Sequence, residues 1–417
     1  MVVAAVRVMT SGLSFLLAAR QCEIAELEQL ARTSALVGVI GRFTHALQRE
    51  RGLSSIFLGS QGRLFGELRL QQVAECRQLE LEVRVHFEQL DTEAARVRNG
   101  SRLFSRVAVV LHGLDGLAAL RSEIAGQTTG AREATAAYVK LIAGLLAVVF
   151  EAADSATDPE VSRALLALFN FMQGKEFAGQ ERAFGASVFA SGRLDAASQQ
   201  HWRHLIDSQQ GCFQVFADFS DPQLISAEQA SREPLVLAEL ERLRRIGCTA
   251  RPEDPLDTGL SQPWYDCSTR RIDAMKAVED LLAQHLRGLC ESRIAQARSE
   301  LRDQRAILES LSTEASSANP QVPGPYGPHL ERSILGMVQE QSRRLQAMSD
   351  ELDAVRSSLN ERKVVERAKG LLMAHRQMSE SEAYKALRQM AMNQNRRLVE
   401  VANNVLALAD VLPGGAR

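Results

Sequence analysis

From Cys22 to Glu309 apolar side chains recur at steps of three and four, and nowhere do they sustain strict alternation. Leu141, Leu145, Leu146 and Val149 form one such run. A period near 3.6 gathers these residues on one side of a helix, whereas a strand would scatter them over both faces. That pattern confines the chain to an all-α fold. Few prolines (11 in 417 residues) and long runs of Ala, Leu, Glu, Arg and Gln favour helix as well. Turn-forming clusters predict breaks near Gly59–Gly62, Asn99–Ser101, Gly126–Gly130, Ser220–Pro222 and Arg251–Pro263. Roughly eight helices result, which suits two antiparallel four-helix bundles better than one.

A chain of 417 residues also exceeds what one hydrophobic core organises. The front domain is expected over residues 1–311, with its core at about 30–300. The segment 312–328 reads STEASSANPQVPGPYGP and holds four of the prolines, so it predicts a semi-rigid linker that cannot continue a helix. Heptad spacing returns over 329–358. Val338, Leu345, Leu352 and Leu359 fall seven apart, interleaved with Ile334, Gln341, Met348 and Val355. Such a helix either dimerises or packs against its own front domain; spacing alone leaves both open. Residues 359–417 form the last domain.

The apolar stretch Val2–Ala19 resembles an export signal, but Arg7 interrupts it and the pattern runs on through Ile24, Leu27 and Leu30. A first helix of the front domain is the better expectation. No later stretch reads as apolar enough to span a bilayer. The six cysteines are scattered without a C-x-x-C and read as buried thiols of a reducing compartment. His201 and His204 form an isolated H-x-x-H with no supporting ligands. No Gly-rich phosphate loop, metal cluster or nucleophile–base pair is present, so neither an enzyme nor a cofactor is expected.

The net charge of −2 hides an asymmetry: Glu361–Arg397 carries nine Lys/Arg against four Asp/Glu, a local +5 on an otherwise acidic chain. A compact basic stretch of this kind suits a polyanion. Glu361–His375 reads as a helix, Ser379 as the next N-cap with Glu382 completing a capping box. Ala383, Leu387, Met390 and Ala391 give the second helix an apolar face, and Leu398, Val401 and Val405 give a third. Around that small core the outer surface would carry Arg362, Lys363, Arg367, Lys369, Arg376, Arg388, Arg396 and Arg397, which supply phosphate contacts. Tyr384 offers a stacking plane for an unpaired base. Ala368 and Gly370 would let the backbone approach RNA, although Ala368 suits the core equally well.

Two front segments about 131 residues apart look alike: Leu47–Ser60 (LQRERGLSSIFLGS) and Gly179–Gly192 (GQERAFGASVFASG). Each sets Glu-Arg ahead of a small-residue-rich apolar helix with a Phe two turns later. Arg51 and Arg182 therefore occupy equivalent places, and Lys175 shares a helix face with Gly179 and Arg182. A buried guanidinium keeps its charge and presents a planar donor fork that fits a compact planar oxyanion. Structural pairing with Glu50 and Glu181 is the competing explanation.

The Leu47–Ser54, Lys175–Ala183 and Trp264–Asp273 segments resemble the nitrate- and nitrite-sensing NIT domain. That resemblance implies two four-helix bundles with the anion between them, and Arg51, Arg49, Arg182, Arg271 and Lys175 as its candidate ligands. Arg49 and Arg51 stand about 200° apart on a helix, so only one of them faces the anion; the sequence does not say which. Leu359–Leu406 resembles the ANTAR domain of bacterial antiterminators through Ala368–Met373, Ala383-Tyr384, Leu387-Arg388, Ala391-Met392 and Val401-Ala402. This implies binding to paired hairpins in a leader mRNA. The expected whole is a cytoplasmic, nitrate- or nitrite-gated antiterminator of nitrate-assimilation genes, acting on the elongation complex only indirectly. The competing expectation is an RNA binder controlled by a protein partner or a different small ligand.

Overall fold

In the computed structural model the described residues are all except 1, 91–92, 252–254, 318–327, 377, 379 and 412–417. Among them the chain is helical, with no strand. The order is α1 (Val2–Gly59), α2 (Gly66–Leu90), α3 (Glu93–Ala125), α4 (Ala131–Ser155), α5 (Pro159–Ser191), α6 (Ala196–Phe219), α7 (Pro222–Ala230) and α8 (Pro234–Thr249). A 3-10 turn at Thr258–Leu260 then leads into α9 (Ser261–Ser317), α10 (Pro328–Arg376), α11 (Glu380–Gln394) and α12 (Leu398–Val411).

The chain divides into two compact units, with residues 1–172, 216–229 and 275–352 in the first and 173–215, 230–274 and 353–417 in the second. In the first, α1 packs against α2 and α4, and α3 against α4. Leu36, Ile40, Phe43 and Leu47 of α1 are fully buried at helical spacing, as are Leu145 and Val149 of α4. The start of α10 leans on this unit through Arg344, which pairs with Glu23 at 3.0 Å and with Glu300. That favours the heptad helix packing on its own chain. Val355 and Leu359 of the seam are buried while Leu345 is 57% exposed; the side chains of Ile334, Val338 and Gln341 lie outside the described residues.

In the second unit, parts of α5, α6, α8 and α9 enclose a core of Val188, Phe189, Leu240 and Leu243 around Trp202 and Trp264. The two indoles meet edge to face, 5.0 Å between centroids. Two glycines admit them: a Cβ on Gly185 would lie 2.4 Å from Trp264, and one on Gly247 2.3 Å from Trp202. The same unit holds the three-helix end of the chain. Ala368 and Leu372 of α10, Ala383, Leu387 and Ala391 of α11, and Val401 and Ala402 of α12 form its core.

Several boundaries differ from expectation. α3 runs straight through Asn99–Ser101, because one glycine costs a helix only about 1 kcal/mol and Leu103 and Val107 beyond it are buried. Breaks at 156–158, 192–195 and 231–233 carry weaker turn signals and were not anticipated. α9 continues to Ser317, into the segment expected as linker, since Ser312–Ser317 contains no proline; residues 318–327, and Ser379 as N-cap, lie outside the described residues. The heptad helix and the first basic helix are one continuous α10. Stretches 101–125 and 131–155 are long and apolar enough to cross a membrane, contrary to the sequence expectation; in α4 the apolar face is the bundle core. Cys22 is exposed rather than buried.

Candidate functional site

Both Glu-Arg pairs sit mid-helix, Glu50-Arg51 on α1 and Glu181-Arg182 on α5, and all four side chains are buried. Neighbours on a helix point about 100° apart, so each glutamate looks away from the arginine beside it. In the first unit Glu50 takes two bonds from Arg121 of α3, at 2.8 and 2.9 Å, and one from the Tyr138 hydroxyl of α4 at 2.7 Å. Burial and then the Glu50 carboxylate push both the Tyr138 phenol and the Cys76 thiol up, which keeps them protonated as donors.

The second unit repeats the arrangement with other residues. Glu181 receives Arg244 of α8 at 2.8 and 2.6 Å, the Trp202 indole at 3.0 Å and the Gln209 amide at 2.7 Å, both from α6. Burial alone would raise the Glu181 carboxyl; the bonds and charge of Arg244, then Gln209 and Arg271, outweigh it and hold it below the usual range. Each glutamate thus draws its counter-charge from a third helix. The competing idea, that Glu50 and Glu181 exist to neutralise Arg51 and Arg182, loses its geometric basis.

Arg51 is 2% exposed, Arg182 6% and Lys175 0%. Arg182 donates to Thr269 of α9 at 3.1 Å and lies over the Tyr265 ring, while its carbonyl accepts from the Trp264 indole at 2.9 Å. Arg271 of α9 donates to the Gln209 carbonyl at 2.8 Å. Burial, then the neighbouring Arg244, push the Arg271 guanidinium down. In the second unit Arg244 and Arg271 thus share Gln209 beside Glu181, while Arg182 meets Thr269 and Tyr265. Arg49, by contrast, has a side chain 54% exposed that pairs with Glu75 at 3.9 Å. The roughly 200° between positions 49 and 51 makes this the necessary consequence of burying Arg51.

Sequence reasoning missed Arg121, Tyr138, Trp202, Gln209 and Arg244. The signal was available for the two arginines. Arg121 continues the buried stripe Leu114, Leu117 and Ile124, and Arg244 the stripe Val236, Leu240 and Leu243. A charge on an apolar stripe needs a buried counter-charge.

Comparison with known families matches residues 42–287 to "Nitrate and nitrite sensing", more than half of the chain. The chain belongs to the NIT family. Residues 353–406 match the ANTAR domain. The nitrate regulatory protein of Klebsiella oxytoca is 35% identical over 398 residues, 94% of this chain and 93% of that one. The solved structure of the NasR transcription antiterminator is similar at 33% identity, with a TM-score of 0.60 over 96% of this chain and 99% of that one. The chain is thus a NasR-like regulator with a nitrate- and nitrite-sensing front and an ANTAR module behind it.

In that module Arg367, Gly370, Arg376, Arg388 and Arg396 are exposed, and Arg362, Lys363 and Tyr384 half-buried. Ala368 is a core residue, 0% exposed, and not a contact surface. Lys369 lies buried between Glu366, at 2.9 and 3.0 Å, and the Tyr384 ring. One face of the module rests on α6. Arg388 pairs with Asp207, Lys385 donates to Gln200 at 2.7 Å, and the Tyr384 and His204 rings lie 5.3 Å apart. Arg362 approaches Cys212, whose thiol is raised by burial against the pull of that charge. His204 of the H-x-x-H thus faces Tyr384, and His201 faces Phe184.

Proposed function

We propose that the chain is a cytoplasmic, nitrate- or nitrite-gated antiterminator. Its candidate anion-binding residues are Arg51 in the first unit and Lys175, Arg182 and Arg271 in the second, and anion binding frees the ANTAR module to grip paired hairpin loops in a leader mRNA. The held hairpins preclude the terminator stem, so the polymerase reads on into nitrate-assimilation genes without touching this protein.

One observation supports the gate more than any other. α6 carries two faces: Gln200, His204 and Asp207 meet the ANTAR module, while Trp202 and Gln209 are bonded into the Glu181–Arg244–Arg271 cluster. Gln209 donates to Glu181 and accepts from Arg271, so its amide has one workable orientation. An anion that takes the Arg271 and Arg182 guanidinium forks competes with Gln209 and Thr269 for them. α6 then loses a restraint on one face and shifts its packing on the other. Coupling of this kind requires the anion to favour one of two α6 arrangements.

The test is RNA affinity for a leader hairpin with and without nitrate, at fixed salt, for the wild type and Arg51→Ala. Nitrate should strengthen binding by the wild type, and Arg51→Ala should keep RNA binding but lose that response. Equal affinity in all four cases would remove the gate and leave the RNA-binding assignment standing.

A further inference from the structure

The first unit holds a cleft of about 310 Å³ that none of Arg51, Lys175, Arg182 and Arg271 lines. One wall comes from α5, where Glu160, Arg163, Ala164 and Ala167 are spaced to share one helix face. α9 adds Leu282 and His285, about one turn apart. The remaining wall is the end of α6 and the start of α7, where Phe219, Ser220, Asp221 and Leu224 border the cleft. α7 buries none of its nine residues, so core packing gives it little reason to lie where it does.

The polar groups of the cleft are under-used by the chain itself. Arg163 lies over the Phe219 ring, 5.8 Å from its centroid, and makes no ion pair among the described residues. Asp221 uses one carboxylate oxygen to cap α7, accepting from the Gln223 N–H at 2.9 Å, and keeps the other available. Glu160 only just reaches Arg293, at 4.0 Å, whose closer partner is Asp158 at 2.8 Å. The Ser220 hydroxyl is buried and meets no hydrogen-bond partner among the described residues. A buried hydroxyl left unbonded is costly, and a donor brought by a ligand relieves that cost. Beside these groups the lining is apolar: Ala167 and Leu282 are buried, and Ala164, Phe219 and Leu224 half-buried.

We propose that this cleft binds a free α-amino acid with an aliphatic side chain, a ligand separate from the anion of the sensor. The Arg163 guanidinium takes the carboxylate through its donor fork, with His285 beside it. Asp221 and the Ser220 hydroxyl accept from the ammonium. The side chain rests on Ala164, Ala167 and Leu282. The charges of the cleft select this class of ligand. Glu160 and Asp221 repel a dicarboxylate or a phosphate ester, and Arg163 opposes a simple amine. A hydrocarbon would leave the Ser220 hydroxyl unbonded and pair with none of the charges. Only a zwitterion pairs with both signs at once. The volume stands at the small end of ligand pockets, about 300–1,000 Å³, which suits a single amino acid and not a peptide.

The experiment is calorimetric titration of the full chain, free of nitrate, with L-leucine as the probe. Leucine should bind with a Kd below ~1 mM. Leucinamide, which lacks the carboxylate, and 4-methylpentanoate, which lacks the ammonium, should each bind about tenfold or more weakly. Arg163→Gln should weaken leucine by a similar factor, and so should Asp221→Asn, which keeps an oxygen to cap α7. Should either variant lose helix content by circular dichroism, the two analogues still decide, because they need only the wild type. Leucine that neither binds in calorimetry nor raises the Tm overturns the proposal. Equal affinity for leucine and either analogue overturns it too, as does leucine binding that survives both substitutions in folded variants.

Discussion

If α6 holds the ANTAR module closed, weakening their contact should mimic nitrate. The perturbation is Asp207→Ala combined with His204→Ala, neither residue belonging to the module. The Asp207–Arg388 pair is about half exposed on both sides, which places it near 0.5 kcal/mol. The His204–Tyr384 ring contact contributes about 0.5–1 kcal/mol. Together these come to about 1–1.5 kcal/mol. At 1.4 kcal/mol per factor of ten, nitrate-free RNA affinity should rise by up to about 12-fold. Affinity in saturating nitrate should stay where it is, so the nitrate response shrinks by the same factor. Fluorescence anisotropy of a labelled leader hairpin, at one salt concentration, reads both limbs. A nitrate-free affinity within twofold of wild type would refute the idea that these contacts gate the RNA face.

Four further outcomes are expected. Glu181→Gln should cost about 3 kcal/mol or more in urea unfolding, because Arg244 would remain buried with only the 63% exposed Glu241 as a charged partner; a loss under 1 kcal/mol would contradict this. The folded Glu181 carboxyl lies below its unfolded value, so its stabilisation is complete above the unfolded pKa near ~4.3 and is lost as pH falls through the folded value; Glu181→Gln should flatten that acid limb. Arg51→Ala should abolish nitrate binding in calorimetry whereas Arg49→Ala changes it less than twofold, and equal losses would place Arg49 at the site. Gly247→Ala should destabilise by about 1–3 kcal/mol, since its Cβ would sit 2.3 Å from a Trp202 ring packed on every side.

The sequence by itself determined the helical class, because a 3.6-residue apolar period leaves a strand no consistent face. It also determined the three-helix end, where Ala383, Leu387 and Val401 were legible as core and are core. The repeated Glu-Arg context likewise drew attention to Arg51 and Arg182, both of which are buried. Periodicity could not fix boundaries: α3 passes Asn99–Ser101 and α9 enters the expected linker, because packing overrides a local turn signal of about 1 kcal/mol. Nor could it say which of Arg49 and Arg51 is buried, a matter of which helix face the neighbours cover. Only tertiary structure decided that Glu50 belongs to Arg121 and Glu181 to Arg244, pairings 71 and 63 residues apart. The same holds for α6, whose two faces bind an arginine cluster on one side and the basic module on the other. Local sequence sets a residue's angle on its helix, but which charges meet there depends on how distant helices pack.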